Sequence, residues 1–250
     1  MRYMTRYDLQ KIAGRVLRAY WRLPEAQENP YCVDMLLLAK KLLGLRVLYR
    51  HLSSDGRTVG ITSYGKVELV LPDAELYGRC VLDGRTVLLE RDLLYLPSLG
   101  RRNFTLGHEC AHHILKMLYP AAYGCGVAAR QALPCRAHPL RARGGGYDWA
   151  EWQTDVLAAE LLMPEELLRR NLALVGRPEG FAVLNPVWRK EDYGRFLGLC
   201  RMMGVSRQAM AYRLELLGLV GKNQLACPNE MIDVWMDEEE VNRKASEQSQ

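Results

Sequence analysis

The chain has 250 residues, of which 49% are hydrophobic, so it can bury a sizeable core in one large domain or two small ones. This composition excludes a disordered chain and a disulfide-stabilised mini-protein. Charged residues such as Lys40 and Lys41 interrupt each long apolar stretch, and Met1 to Lys11 is too polar for a secretory signal. The seven cysteines form no Cys-x-x-Cys pair, which is typical of reduced thiols. We therefore expect a soluble, cytoplasmic protein.

The net charge of +5 is unevenly distributed along the chain. Residues 228–250 contain seven acids and two bases, a charge of −5, which leaves +10 on residues 1–227. The tail 228–250 is therefore predicted to be acidic and disordered, and residues 1–227 are predicted to form one domain.

Apolar periodicity predicts the elements in chain order. Helical spacing indicates two opening helices within 5–44, at Thr5–Tyr20 and Met35–Leu43. Short β-type runs separated by glycine turns follow in a sheet region 45–92, at 45–49, 58–62, 67–71 and 86–90. Helical spacing then dominates to Leu219. The order of helices, sheet and helices predicts an α+β fold with a small, mostly antiparallel sheet.

The strongest chemical motif is His108-Glu109-Cys110-Ala111-His112, within predicted metal-site helices spanning 103–173. Residues four apart lie on one face of a helix, so His108 and His112 can bind one metal ion while Glu109 points to its open position. The spacing predicts a mononuclear zinc hydrolase, although such a ligand set also tolerates manganese or iron.

A catalytic zinc usually has three protein ligands, so a third ligand is needed. The candidate is Glu151, at the start of an apolar-faced helical stretch. Asp155 lies four residues later on the same face, where it can accept a hydrogen bond from the free ring nitrogen of a ligating histidine.

Two blocks resemble the ImmA/IrrE family of zinc metallopeptidases. They are Phe104-Thr-Leu-Gly-His-Glu-Cys-Ala-His-His-Ile-Leu and Glu151-Trp-Gln-Thr-Asp-Val-Leu-Ala-Ala-Glu-Leu-Leu-Met-Pro164. The weaker likeness of the flanking regions extends over about residues 8 to 220. Thr154 and Leu157 depart from the Ala and Phe usual in that family, and the interval from His112 to Glu151 is longer than usual.

The resemblance implies a zincin-like arrangement in which the HExxH helix faces a second, ligand-bearing helix. It implies that His108, His112 and Glu151 bind zinc and that Glu109 is the general base of peptide-bond hydrolysis. It further implies a regulatory protease whose substrate is a helix-turn-helix repressor of a phage or mobile element. The candidates for an oxyanion donor remain open and are His113, His138, Tyr123 and Tyr147.

The segment 120–147 between the two metal-site helices is rich in proline and glycine, which predicts a loop. From His113 to Tyr147 there are five bases and no acid. Arg141 and Arg143 are therefore candidates for a substrate rim that attracts an acidic protein segment or a nucleic-acid phosphate. A solvated loop without a function is the alternative.

Residues 195–219 have the outline of a helix-turn-helix pair, which offers a competing function. Its second helix carries Arg207 and Arg213 but also Glu215, a weak electrostatic pattern for phosphate contact. The sequence thus leaves three hypotheses: a regulatory zinc peptidase, a non-cleaving DNA-binding or repressor-binding protein, and a structural metal domain.

Overall fold

The computed structural model describes residues 3–72, 78–95, 99–123, 132–136 and 149–229. The chain divides into two compact units. The first comprises Met1–Leu167 with Met203–Ser206, and the second comprises Leu168–Met202 with the chain from Arg207 onward. The single domain over 1–227 stays a prediction, and the acidic tail beyond residue 229 lies outside the described residues.

The first opening helix is confirmed as α1 (Arg6–Tyr20). Thr5 begins it with a capping box, because its side chain accepts from the Asp8 amide while the Asp8 carboxylate accepts from the Thr5 amide. The second is shorter than predicted as an α-helix: α2 (Met35–Leu37) continues as a π-helical turn over Leu38–Leu42. Gly44, with φ of 65°, follows it.

The sheet of the first unit has four strands in the order β1-β5-β2-β6. β1 (Arg46–Arg50) pairs in parallel with β5 (Thr86–Glu90), and β2 (Thr58–Ser63) lies antiparallel between β5 and β6 (Ala132–Arg136). β3 (Lys66–Val70) and β4 (Arg79–Asp83) form a separate antiparallel hairpin. The four-stranded sheet is therefore mixed, and β4 and β6 were not predicted.

The prediction of a loop throughout 120–147 is wrong at two places. The short helix α4 (Pro120–Tyr123) follows the helix at Leu99–Leu118, and β6 pairs with β2 as the edge strand of the sheet. Pro134 lacks an N–H, but an edge strand has one row of backbone groups without a ladder partner, so proline is compatible with that position.

The core of the first unit places helices on one face of the sheet. α3 (Leu99–Leu118) packs on β2, β5 and α5 (Trp149–Leu162), and α5 also packs on α1. Side chains alternate along a strand, so Gly60 and Thr62 face α3 while Ile61 joins an apolar cluster with Leu82 of the hairpin. Because the sheet is covered on both faces, β2 is buried along nearly its whole length.

In the chain that follows, α6 (Glu165–Leu174) precedes β7 (Phe181–Leu184), α7 (Lys190–Met203), α8 (Arg207–Leu216) and β8 (Val220–Asn223). β7 and β8 pair in parallel and were not predicted. α7 and α8 reproduce the predicted helix pair, with Gly204 at φ of 62° in the turn. The described residues thus contain eight α-helices and small mixed sheets, an α+β fold. None of their helices is both long and apolar enough to cross a membrane.

Candidate metal centre

The two histidines of the HExxH motif lie one turn apart on the buried part of α3. Their side chains are only 3% and 2% exposed, and the Nε2 atoms of His108 and His112 are 3.0 Å apart. Burial holds the pKa of His112 well below its usual value, and His108 and His113 lower it further. A neutral imidazole has a nitrogen lone pair, which is the form that binds a metal ion.

Glu151 brings a carboxylate from α5 to the same point. Its Oε2 lies 3.3 Å from His108 Nε2, and its Oε1 lies 3.5 Å from His112 Nε2. Metal bonds of about 2.0–2.1 Å at tetrahedral angles would separate neighbouring donor atoms by about 3.3 Å. The three side chains therefore form a group that could hold a metal ion. Glu151 remains 39% exposed, so the group is open to solvent on the α5 side.

The structure places Asp155 beside His108, with 2.9 Å between Asp155 Oδ1 and His108 Nδ1. A carboxylate only accepts hydrogen bonds, so this contact puts the ring proton on Nδ1 and leaves the Nε2 lone pair directed at the group.

The other histidine has a different partner, Tyr64, which the sequence did not identify. The Tyr64 hydroxyl lies 3.0 Å from His112 Nδ1. Thr154 is farther away, with Oγ1 3.4 Å from the same nitrogen and 2.8 Å from the Ala150 carbonyl oxygen to which it donates. Tyr64 lies in the turn after β2, and nothing in the sequence pattern links that turn to α3.

Glu109 is fully buried, and neither of its carboxylate oxygens has a hydrogen-bond partner among the described residues. Burial raises the pKa of this carboxyl to about 8, an effect that His108 opposes and Glu151 increases. Gly60 of β2 makes room for it: a Cβ at Gly60 would lie 2.6 Å from Glu109 Oε1 and 2.8 Å from Thr105 Cγ2. A buried polar group without a partner costs free energy, which is typical of functional sites.

Of the four candidates for an oxyanion donor, the structure describes the side chain of His113. His113 Nε2 lies 2.6 Å from Thr62 Oγ1, and burial, with Lys116 nearby, lowers its pKa to about 4. His113 thus joins α3 to β2. His138 and Tyr147, the Tyr123 side chain and the rim candidates Arg141 and Arg143 lie outside the described residues.

A second group, His51, Glu90 and Asp92, lies at the carboxyl ends of β1 and β5 and could also hold a metal ion. In this group the buried Glu90 already has protein partners for both oxygens, His51 Nδ1 at 2.9 Å and the Leu52 amide at 2.8 Å. The His51–Glu90 pair is therefore satisfied as a structural contact.

The helix pair α7 and α8 offers fewer surface bases than its sequence indicated. Arg213 is only 2% exposed, so it is not a surface contact for phosphate. Arg207 is exposed and donates to the Tyr193 hydroxyl at 2.8 Å. With Glu215 also exposed, α8 presents one exposed arginine and one exposed acid.

No protein-family model matches the chain, and no curated protein matches it.

Proposed function

We propose that the protein is a zinc-dependent peptidase whose metal centre consists of His108, His112 and Glu151. The proposal depends mainly on the Glu109 carboxyl group, which is buried and has no hydrogen-bond partner among the described residues. Glu109 directly follows His108, one of the two imidazoles that converge with the Glu151 carboxylate. In a structural metal site, a buried carboxylate of this kind would only cost free energy, whereas a hydrolase needs a base at this position.

The donor set fits zinc in a catalytic site. Catalytic zinc commonly has three protein ligands of nitrogen and oxygen type with one position open, while structural zinc has four and is usually rich in cysteine. Cys110, the cysteine of the motif, is fully buried, and burial strongly raises the pKa of its thiol, so it is a poor ligand. Manganese or iron would fit the same donors, so zinc is part of the proposal.

A zinc ion held by His108, His112 and Glu151 would polarise a carbonyl oxygen and lower the pKa of a water molecule. The chain's own residues supply the proton transfers. The Glu109 carboxylate takes a proton from a water molecule as the water oxygen adds to the peptide carbonyl carbon. Glu109 then gives that proton to the amide nitrogen as the C–N bond breaks. Asp155 and Tyr64 hold the rings of His108 and His112 from outside the group.

The proposed family and substrate rest on the resemblance of the two motif blocks to ImmA/IrrE peptidases. We propose a cytoplasmic regulatory protease that cleaves a helix-turn-helix repressor of a phage or mobile element. The zincin-like placement of an HExxH helix opposite a ligand-bearing helix is part of the same proposal, and the packing of α3 on α5 supports it.

The test is Glu109→Gln, which keeps the size of the side chain but removes its basicity. Zinc-loaded protein is incubated with purified helix-turn-helix repressors, and new peptide termini are identified by mass spectrometry. We expect the variant to cleave about 10²- to 10⁴-fold more slowly than wild type, the usual contribution of a general base. Its zinc content should stay that of wild type, because Glu109 is not a proposed ligand.

Glu166→Gln is the matched control, since it neutralises an exposed carboxyl in the first turn of α6 and should leave cleavage unchanged. Equal cleavage by wild type and Glu109→Gln would contradict the proposed role of Glu109. Repressor binding without any cleavage by zinc-loaded wild type would favour the non-cleaving regulatory protein instead.

A further inference from the structure

We propose that Tyr64 is a positioning residue that holds His112 in the orientation and tautomer required for metal binding. The inference rests on the metal centre of the proposed function, but it concerns metal affinity and needs no substrate. It assigns a role to a side chain from the turn between β2 and β3, which lies 48 residues before His112.

The contact between Tyr64 and His112 involves both a hydrogen bond and ring packing. The hydroxyl oxygen is 3.0 Å from Nδ1, and the two rings meet edge to face, with centroids 6.3 Å apart and an interplanar angle of 70°. The phenol therefore fixes the rotation of the imidazole as well as one of its nitrogens.

The proton arrangement follows from which nitrogen faces the group. Nε2 of His112 faces His108 and Glu151, so a metal held there uses the Nε2 lone pair. The ring proton must then be on Nδ1, and the Tyr64 hydroxyl oxygen accepts it. A phenol hydroxyl can accept or donate, whereas the Asp155 carboxylate beside His108 can only accept. The two histidines thus have chemically different supports.

Tyr64 is itself held in place by α3 and by the neighbouring turns. Lys116, one helical turn after His112, donates to the Tyr64 carbonyl oxygen, and its Nζ lies 5.2 Å from the centre of the Tyr64 ring. Ser63 Oγ donates to the Gly65 carbonyl at 2.9 Å and accepts from the Gly84 amide at 3.2 Å. These bonds fix the backbone on both sides of Tyr64, which is what a positioning residue requires.

Thr154 is the competing partner of His112 Nδ1, but its geometry is weaker. The separation is 3.4 Å, near the limit of a hydrogen bond, and the Thr154 hydroxyl already donates to the Ala150 carbonyl. We therefore assign the main support of His112 to Tyr64.

The experiment measures zinc dissociation constants by competition with a chromophoric chelator. The variants are Tyr64→Phe, which keeps the ring and removes only the hydroxyl, and Thr154→Ala. The matched control is Tyr20→Phe, because the Tyr20 side chain is buried and its hydroxyl also accepts a hydrogen bond, at 2.9 Å from the Asp34 amide. In parallel, ¹⁵N-labelled histidine reports water exchange of the His112 Nδ1 proton in zinc-loaded protein.

We expect Tyr64→Phe to weaken zinc binding about tenfold or more, as loss of an outer partner of a metal-bound histidine usually does. Thr154→Ala and Tyr20→Phe should stay within about threefold of wild type, because neither removes the main partner of His112. The Nδ1 proton should exchange faster in Tyr64→Phe only.

Zinc affinity of Tyr64→Phe equal to that of wild type would overturn the inference, as would an equal loss in Tyr64→Phe and Tyr20→Phe. Zinc binding that depends on Tyr64 in a protein that cleaves no peptide would support the inference and contradict the proposed peptidase function. Cleavage by wild type with no effect of Tyr64→Phe on zinc affinity would support the proposed peptidase function and overturn the inference.

Discussion

The metal group on α3 and α5 differs from the helix pair α7 and α8 in how each uses its polar side chains. Both regions are functional candidates from sequence. In the metal group, His108 and His112 are buried and their Nε2 atoms converge with Glu151 within 3.5 Å. In the helix pair, Arg213 is buried away from the surface and Arg207 donates to a tyrosine of the same pair.

The difference shows what a buried polar side chain indicates in this protein. Glu109 is buried, and its carboxyl oxygens have no hydrogen-bond partner in the part of the chain that the structure describes, which costs free energy. On α8 of the helix pair, Arg207 and Glu215 are exposed to solvent, so no comparable free energy is lost there by burying a polar group. These contacts support the proposal that the chemistry lies at the metal group, and they favour the interpretation of α7 and α8 as a structural or protein-docking pair.

Three substitutions test the difference between the two regions, and the largest effect is expected for Asp155→Ala in the metal group. Removing the acceptor of the His108 Nδ1 proton should weaken zinc binding by about 10- to 100-fold. Chelator competition measures the change. Asp55→Ala is the control, since Asp55 is an exposed turn carboxylate bonded to the Arg57 amide. Unchanged zinc affinity in Asp155→Ala would show that the contact with His108 does not support a metal centre.

A smaller effect is expected for Gly60→Ala, which tests the close approach of β2 to Glu109. The added Cβ would lie 2.6 Å from Glu109 Oε1, so either the strand or the carboxylate must move. We expect a loss of about 1–3 kcal/mol in the free energy of unfolding, the usual cost of overpacking a core. Chemical denaturation measures this loss, and cleavage assays should show slower turnover because Glu109 is displaced.

Gly14→Ala is the control for that substitution. Gly14 lies within α1, and its nearest neighbour would be Arg18 Nη1 at 3.8 Å, the end of a flexible side chain. Alanine is the better helix former, so a stability gain of up to about 1 kcal/mol is expected there. If Gly60→Ala were as stable and as active as wild type, Glu109 would not be confined by β2.

The smallest effect is expected for Arg207→Ala in the helix pair. A large effect on DNA binding would contradict the difference between the two regions. A surface substitution of this kind should change the free energy of unfolding by at most about 0.5 kcal/mol. Fluorescence anisotropy with a DNA duplex at several salt concentrations measures any phosphate contact. We expect no change in the salt dependence, whereas a decrease of the slope by about one would identify Arg207 as a DNA contact.

Much of the metal group was predictable because its geometry is local. The spacing of His108 and His112 places them one helical turn apart, and the spacing of Glu151 and Asp155 does the same on α5. The distances of 3.3 Å from Glu151 to His108 and 2.9 Å from Asp155 to His108 require only that these two helix faces meet. The sequence predicted this meeting because a catalytic zinc needs a third ligand and the stretch that begins at Glu151 has an apolar face.

Tyr64 and Gly60 could not be predicted because their roles depend on how the sheet docks on α3. No helical or strand period connects β2, which ends at Ser63, to α3, which begins at Leu99. The strands β7 and β8 escaped prediction for a related reason. Each has only four residues, and their parallel pairing joins segments on either side of α7 and α8. Runs this short carry too little periodicity to be distinguished from turns between helices.

The proposed metal centre is tested by measuring the zinc content of the purified protein after loosely bound ions are removed. Wild type is compared with His112→Ala and Glu151→Gln, with circular dichroism as a check that each variant is folded. We expect one zinc ion per chain in wild type and little or none in either variant. A folded wild type that takes up no zinc, or variants that retain it fully, would contradict the proposed metal centre.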